Sequence, residues 1–127
     1  MPDNGKSALG LDANITAPLG YIIWIIALIV VIMEKQNKFV RFHAIQSLLY
    51  HAAALIVFIG LVILLAILSI MLAFAHLGEL SGILWLLYFV VFIAYVAGLI
   101  YAAVKSYGGV QFKLPIVGNM AEKFANK

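Results

Sequence analysis

Apolar positions in this chain run in long blocks, 15–33, 52–75 and 83–104, with short polar stretches between them. Blocks of this length that do not alternate predict helices sheltered by lipid rather than the strands of a transmembrane barrel. The first block, about 19 residues or roughly 28 Å as a helix, is long enough to cross the hydrocarbon core. Asn14 or Thr16 suits its N-cap, Pro18 its first turn, and Tyr21 and Trp24 an aromatic belt near that end.

The second block belongs to something longer. From Phe39 to Ala75 there is no proline and a single glycine, Gly60. One helix of roughly 55 Å is therefore expected, well beyond the width of the hydrocarbon core. Splitting it at Gly60 would strand backbone groups in lipid, because no polar residue is there to meet them. The expectation is an all-α, polytopic membrane protein with three transmembrane helices in a single membrane domain, 1–127. Residues 1–14 form an extracytoplasmic N-terminus and 15–33 the first span. Residues 34–51 are a cytoplasmic turn and the interfacial start of the long second helix, whose spanning part is 52–75. An outer loop, 76–82, leads to the third span, 83–104, and a cytoplasmic tail, 105–127. In the tail, Asn119 and Glu122 have capping-box spacing, and Met120 and Phe124 share one face, so a short C-terminal interfacial helix is predicted.

Composition agrees with this class: 66% of the chain is hydrophobic and 10% charged, against about half apolar in soluble domains. There is no cysteine, which excludes disulfides and thiolate metal sites. The basic residues flank the apolar blocks, so Lys35, Lys38, Arg41, Lys105 and Lys113 read as membrane-surface anchors, with the lipid bilayer as partner and no nucleic acid. With three spans, seven of the eight basic residues share one side. That side is cytoplasmic by the positive-inside rule, giving a multi-pass protein of the cell (inner) membrane, N-terminus out and C-terminus in. Asp3 and Asp12 beside Lys6 make a poor signal-peptide start, so the first block is expected to remain.

Candidate chemistry concentrates in one place. His43, Gln46, Ser47 and Tyr50 stand at i, i+3, i+4 and i+7, one helical face, with His51 at its edge. Such a stripe either bonds across to a neighbouring helix or the tail, or lines a hydrated cytoplasmic vestibule with histidines that titrate near neutrality. His43 and His51 lie about 12 Å apart along the axis and cannot chelate one metal together. All five acids, Asp3, Asp12, Glu34, Glu79 and Glu122, fall outside the proposed spans, so no intramembrane carboxylate pair offers acid–base chemistry. No enzyme, cofactor or metal site is expected. On the third span, Ala94, Gly98 and Ala102 form a small-xxx-small ladder that lets helices approach closely, either within the chain or in a homo-oligomer.

Three segments carry a resemblance: "GLDANITAPLGY" at the first block, "NKFVRFHAIQSLL" from Asn37 to Leu49, and "KLPIVGNMAEK" from Lys113 to Lys123. The chain resembles the small bacterial and archaeal membrane proteins related to the twenty-kilodalton membrane component of the chloroplast inner-envelope protein translocon, a Tic-twenty-like group. The resemblance implies a helical membrane protein that works in complexes and, for the plastid branch, moves proteins across a membrane. The expected function is therefore a non-enzymatic scaffold or assembly subunit, translocon-like, that binds itself or another membrane protein. The alternative is a subunit of a small-solute or ion pathway with a polar cytoplasmic vestibule.

Overall fold

The computed structural model describes residues 3–127. Among the described residues five α-helices succeed one another: α1 (Ala13–Ile22), α2 (Trp24–Met33), α3 (Lys38–Phe74), α4 (Ser81–Tyr107) and α5 (Val117–Ala125), with a 3-10 turn at Gly78–Leu80. Among the described residues there is no strand, only an isolated bridge between Lys6 and Asp12. The chain divides into two compact units. The first takes in the chain up to His51 and from Gly98 onward, and the second is Ala52–Ala97.

In the first unit, the block expected to be one spanning helix is two ten-residue helices. Ile23 is extended, with φ −121° and ψ 96°, and the chain doubles back there. Gly20 makes the return possible, since a Cβ placed on it would already touch the Ala27 Cβ at 3.4 Å. At the base, the Ala8 N–H donates to a carboxylate oxygen of Glu34 at 2.6 Å, and the Asn37 side chain donates to the carbonyls of Asn4 and Lys6. The two helices are thus arms of a hairpin whose ends lie together. Each arm is about 15 Å long, half the thickness of a hydrocarbon core.

This hairpin corrects three expectations. Residues 15–33 are not one continuous helix, because the backbone leaves helical geometry at Ile23. Neither Asn14 nor Thr16 is the N-cap: α1 starts at Ala13, and the Thr16 hydroxyl donates back to the Asp12 carbonyl. Nor is the N-terminal segment held apart from the tail, since the Asn4 amide donates to the Gly109 carbonyl at 3.2 Å.

The first turns of α3 are the hub of this unit. Phe39, Val40 and Ala44 pack on Ala13, Ala17, Ala27 and Val30 of the hairpin. Phe42 and Ile45 pack on Ala121 and Ala125 of α5. Tyr21, Ala102, Ala103 and Leu114 form a third cluster, against which Tyr50 packs. Small residues recur at these contacts because they let backbones approach. Helix α5 begins at Val117 rather than at Asn119, so the expected capping box does not form, and Glu122 instead pairs with Lys113.

The second unit consists of the apolar length of α3, the 3-10 turn and the first part of α4. His76 terminates α3 in the left-handed region (φ 59°), and the Leu77 N–H closes onto the Leu72 carbonyl at 2.8 Å, the pattern of a Schellman cap. Phe58 meets the rings of Tyr88 and Tyr95, and the Trp85 indole donates to the Ser69 hydroxyl. Otherwise the surfaces of Leu55, Ile56, Ile63, Leu86, Val90 and Ile93 are exposed. Among the described residues, two helices are long and apolar enough to cross a membrane, and their outer faces are apolar.

Candidate functional site

The break at Ile23 has a cost that accounts for much of the polar stripe. In an unbroken helix, the carbonyls of Gly20 and Tyr21 would accept from residues 24 and 25. Here they are released, and each meets a side chain of α3. The Ser47 hydroxyl donates to Gly20 O at 2.6 Å, and His51 Nε2 donates to Tyr21 O at 3.2 Å. Buried backbone groups freed from a helix need such partners.

Gln46 performs the same service for the tail. Its Oε1 accepts from the Leu114 N–H at 2.8 Å, and its Nε2 donates to the Phe112 carbonyl at 2.9 Å. These partners fix the orientation of the amide, because a backbone N–H only donates and a carbonyl only accepts. The remaining amide hydrogen then points to the Tyr21 hydroxyl at 2.6 Å. That hydroxyl accepts from Gln46 and lies 2.7 Å from His43 Nδ1, which gives its own proton an acceptor when Nδ1 is unprotonated. With the hydroxyl donating, His43 is the neutral tautomer that carries its proton on Nε2. That Nε2 is buried and, among the described residues, has no hydrogen-bond partner. The rings of Phe39 and Phe42 stand edge-on around the imidazole, at 4.6 and 5.0 Å.

His43, Gln46 and Ser47 are each 0% exposed. A vestibule requires water at the stripe, and these three side chains are sealed between the hairpin, α4 and the tail. Tyr50 differs from them: its hydroxyl lies over Gly98, where a Cβ would sit only 2.2 Å from it. The glycine of the small-residue ladder is thus occupied inside the chain. Ala102 is buried there as well, whereas Ala94 faces outward.

The proposed anchors separate in the same way. Lys35 and Lys38 are exposed, and the Lys105 ammonium sits 5.5 Å above the Tyr101 ring. Lys113 pairs with Glu122. The half-buried Arg41 also serves the hairpin: its Nη1 donates to the carbonyls of Val31 (3.1 Å) and Glu34 (3.0 Å), which caps the end of α2. Glu34 closes the base of the hairpin. Burial pushes its carboxyl pKa up, but the backbone N–H groups of Asn37, Ala8, Gln36 and Lys35 outweigh this and hold it below the ordinary carboxylate value.

Residues outside the stripe complete the arrangement. Tyr21 reads in the sequence as a belt aromatic, yet it joins His43, Gln46 and His51 of the stripe. Gly118 is required because a Cβ there would lie 2.5 Å from Lys113 Cβ and 2.9 Å from Gln46 Oε1. The glycines at 20 and 118 are the sequence signals for these close approaches. Among the described residues, no three His, Cys, Asp or Glu side chains converge to hold a metal ion.

Taken together, the long apolar helices and the capped, sealed junction define a small helical integral membrane protein. Residues 7–121 match the magnetosome magnetite crystal formation protein family. The chain is 40% identical over 122 residues to a UPF0132 membrane protein of Methanocaldococcus jannaschii, covering 95% of this chain and 96% of that one. It is 33% identical over 118 residues to a second UPF0132 membrane protein of the same organism, covering 92% and 73% respectively. The chain belongs to the magnetosome magnetite crystal formation protein family. The resemblance to the chloroplast translocon component is thereby overturned: family and relatives alike lie elsewhere. Short motifs set in apolar sequence suggest that resemblance, and hydrophobic blocks are shared widely among unrelated membrane proteins. No solved structure matches.

Proposed function

We propose that the chain is a non-enzymatic scaffold of its membrane, with two spanning helices and a rigid folded platform on the cytoplasmic side. The observation that carries this reading is the use of the stripe. The bonds of Gln46 and Ser47 go to the chain's own backbone or to Tyr21, so the polar groups most suggestive of a pathway serve to hold the platform together. The spanning parts are the apolar lengths of α3 and α4. The α1–α2 hairpin enters and leaves on one side, and α5 lies at the interface with Met120 and Phe124 outward, 44% and 42% exposed.

Charge supports this orientation. With two spans and both termini on one side, all eight Lys and Arg residues fall on that side, one more than three spans allow, and the segment 52–97 carries none. The family's description names magnetite crystal formation. In this chain Glu34, Asp12 and Glu122 have internal partners, which supports a contribution to such a role through membrane architecture.

Because the chain has no cysteine, single-cysteine variants test the topology directly. Asp3→Cys and Lys127→Cys should react with a membrane-impermeant maleimide from the same side of sealed vesicles, and Glu79→Cys from the other. Labelling of Asp3→Cys and Lys127→Cys from opposite sides refutes the two-span reading. Solute flux through well-inserted protein in liposomes, altered by Gln46→Ala, refutes the scaffold.

A further inference from the structure

The outer surface of the hairpin is matched to lipid in a specific way. Its turn is wholly apolar and uncovered: Ile22 is 70% exposed, Ile23 44%, Trp24 52% and Ile25 50%. The outer face of α2 continues the patch through Leu28, Ile29 and Ile32, while Ala27 and Val30 face inward. The opposite end is polar, formed by the loop before Ala13 and by Glu34 to Asn37, with Lys6 and Lys35 exposed there. At the turn, Ser47 and His51 occupy the freed carbonyls of Gly20 and Tyr21. Partners of this kind lower the cost of non-helical backbone near lipid.

We infer that the α1–α2 hairpin is a lipid wedge, seated turn-first in the leaflet on the platform side. Through it the protein prefers membrane that is convex on that side. An element with both ends on one face and arms of about 15 Å adds area to a single leaflet of a core about 30 Å thick. Apolar surface inserted into one leaflet binds more favourably where curvature has opened packing gaps among its lipids, and nearby lysines strengthen this with anionic lipid. The occupant of the patch is therefore the acyl and headgroup boundary of one leaflet. A protein partner would have to cover an apolar tip set against a basic base, and that is the pattern of a bilayer interface. The inference rests on the two-span topology proposed above.

The test uses the full chain carrying a dye at Lys127→Cys, reconstituted platform-side outward in giant vesicles containing anionic lipid, from which thin tubes are drawn. The protein should be enriched several-fold on the tube relative to the flat membrane. Trp24→Ser with Ile25→Ser, changes at exposed positions that leave the hairpin's inner contacts in place, should reduce that enrichment. In a Trp85→Phe background, Trp24 fluorescence should be quenched by lipids brominated on the acyl chain. Equal density on tube and flat membrane, with Asp3→Cys and Lys127→Cys still labelled from one side, overturns the wedge alone. Labelling of those two from opposite sides overturns the topology beneath it. Loss of sorting in the double-serine variant, with unchanged circular dichroism, supports the wedge over a general affinity for curved lipid.

Discussion

Replacing Tyr21 by Phe removes one oxygen and leaves every apolar contact of the ring in place, so it isolates the hydrogen-bond relay. Two bonds disappear, one accepted from Gln46 at 2.6 Å and one donated to His43 at 2.7 Å. Gln46 retains the Phe112 carbonyl and the Leu114 N–H. His43 loses its bond to Tyr21; among the described residues its Nε2 makes no hydrogen bond of good geometry, and the Val110 backbone is the polar group left beside the ring. A buried polar group left unpaired costs about 1–3 kcal/mol, whereas polar pairs between membrane helices average nearer 0.6 kcal/mol. The first scale applies here, since Tyr21, His43 and Gln46 are all 0% exposed and water cannot replace the hydroxyl without opening the platform. Two stranded groups together give an expected loss of about 3 kcal/mol.

The assay is equilibrium unfolding in mixed micelles of increasing SDS, read by Trp24 in a Trp85→Phe background. A second substitution sharpens it. Removing both partners of a buried bond is far cheaper than removing one, so His43→Leu added to Tyr21→Phe should cost less than the sum of the two single changes. Tyr101→Phe, at an exposed ring, is the control and should stay within about 0.5 kcal/mol of the parent. If Tyr21→Phe also stays within that margin, or if the double variant is additive, the relay and the neutral tautomer assigned to His43 are wrong.

Gly118→Ala should loosen α5 and the tail by about 2 kcal/mol, because the new methyl meets Lys113 backbone and Cβ atoms that cannot step aside; Gly98→Ala should cost less, since it meets the end of the movable Tyr50 side chain, and amide exchange in α5 and around Tyr50 reads both. Ile116→Gly should stabilise the tail by about 1 kcal/mol in micelles, because Ile116 has φ 68° and ψ −63° in a tight turn closed by the Val117 N–H on Pro115 O, a strained geometry for a β-branched residue. Glu34 binds its proton less readily folded than unfolded, so its stabilisation is complete above its unfolded pKa and is lost as pH falls through the lower folded value. Glu34→Gln should remove that part of the acid sensitivity, measured as the pH dependence of the same unfolding transition.

How much of this was legible in the sequence depends on whether a residue acts locally or at a distance. The long helix through Phe39 to Phe74 is dictated by an apolar run without proline, and its shared polar face by helical spacing alone. The break at Ile23 is not, because "GYIIWII" holds no breaker after Gly20 and its hydropathy runs on unchanged into α2. The turn is selected by tertiary contact: Gly20 admits Ala27, while Ser47 and His51 stabilise the released carbonyls. Neither half of that arrangement predicts the other until both are placed. Under the two-span topology proposed above, the same turn puts the N-terminal segment and the tail on one face.

The hairpin also changes what a polar stripe in an apolar chain signifies. Irregular backbone next to lipid has few partners, and each carbonyl released near Ile23 or in the tail must find a donor within the protein. Ser47, His51, Gln46 and Arg41 each supply such a donor to a named carbonyl, so their presence is explained by the irregular segments they face. His43 is the exception. Its close hydrogen bond goes to a side chain, and among the described residues its Nε2 makes none of good geometry. An apolar residue there would remove that unpaired donor and leave the Tyr21 hydroxyl proton without an acceptor. The histidine thus orients Tyr21, whose hydroxyl also meets Gln46, the side chain that bonds the tail.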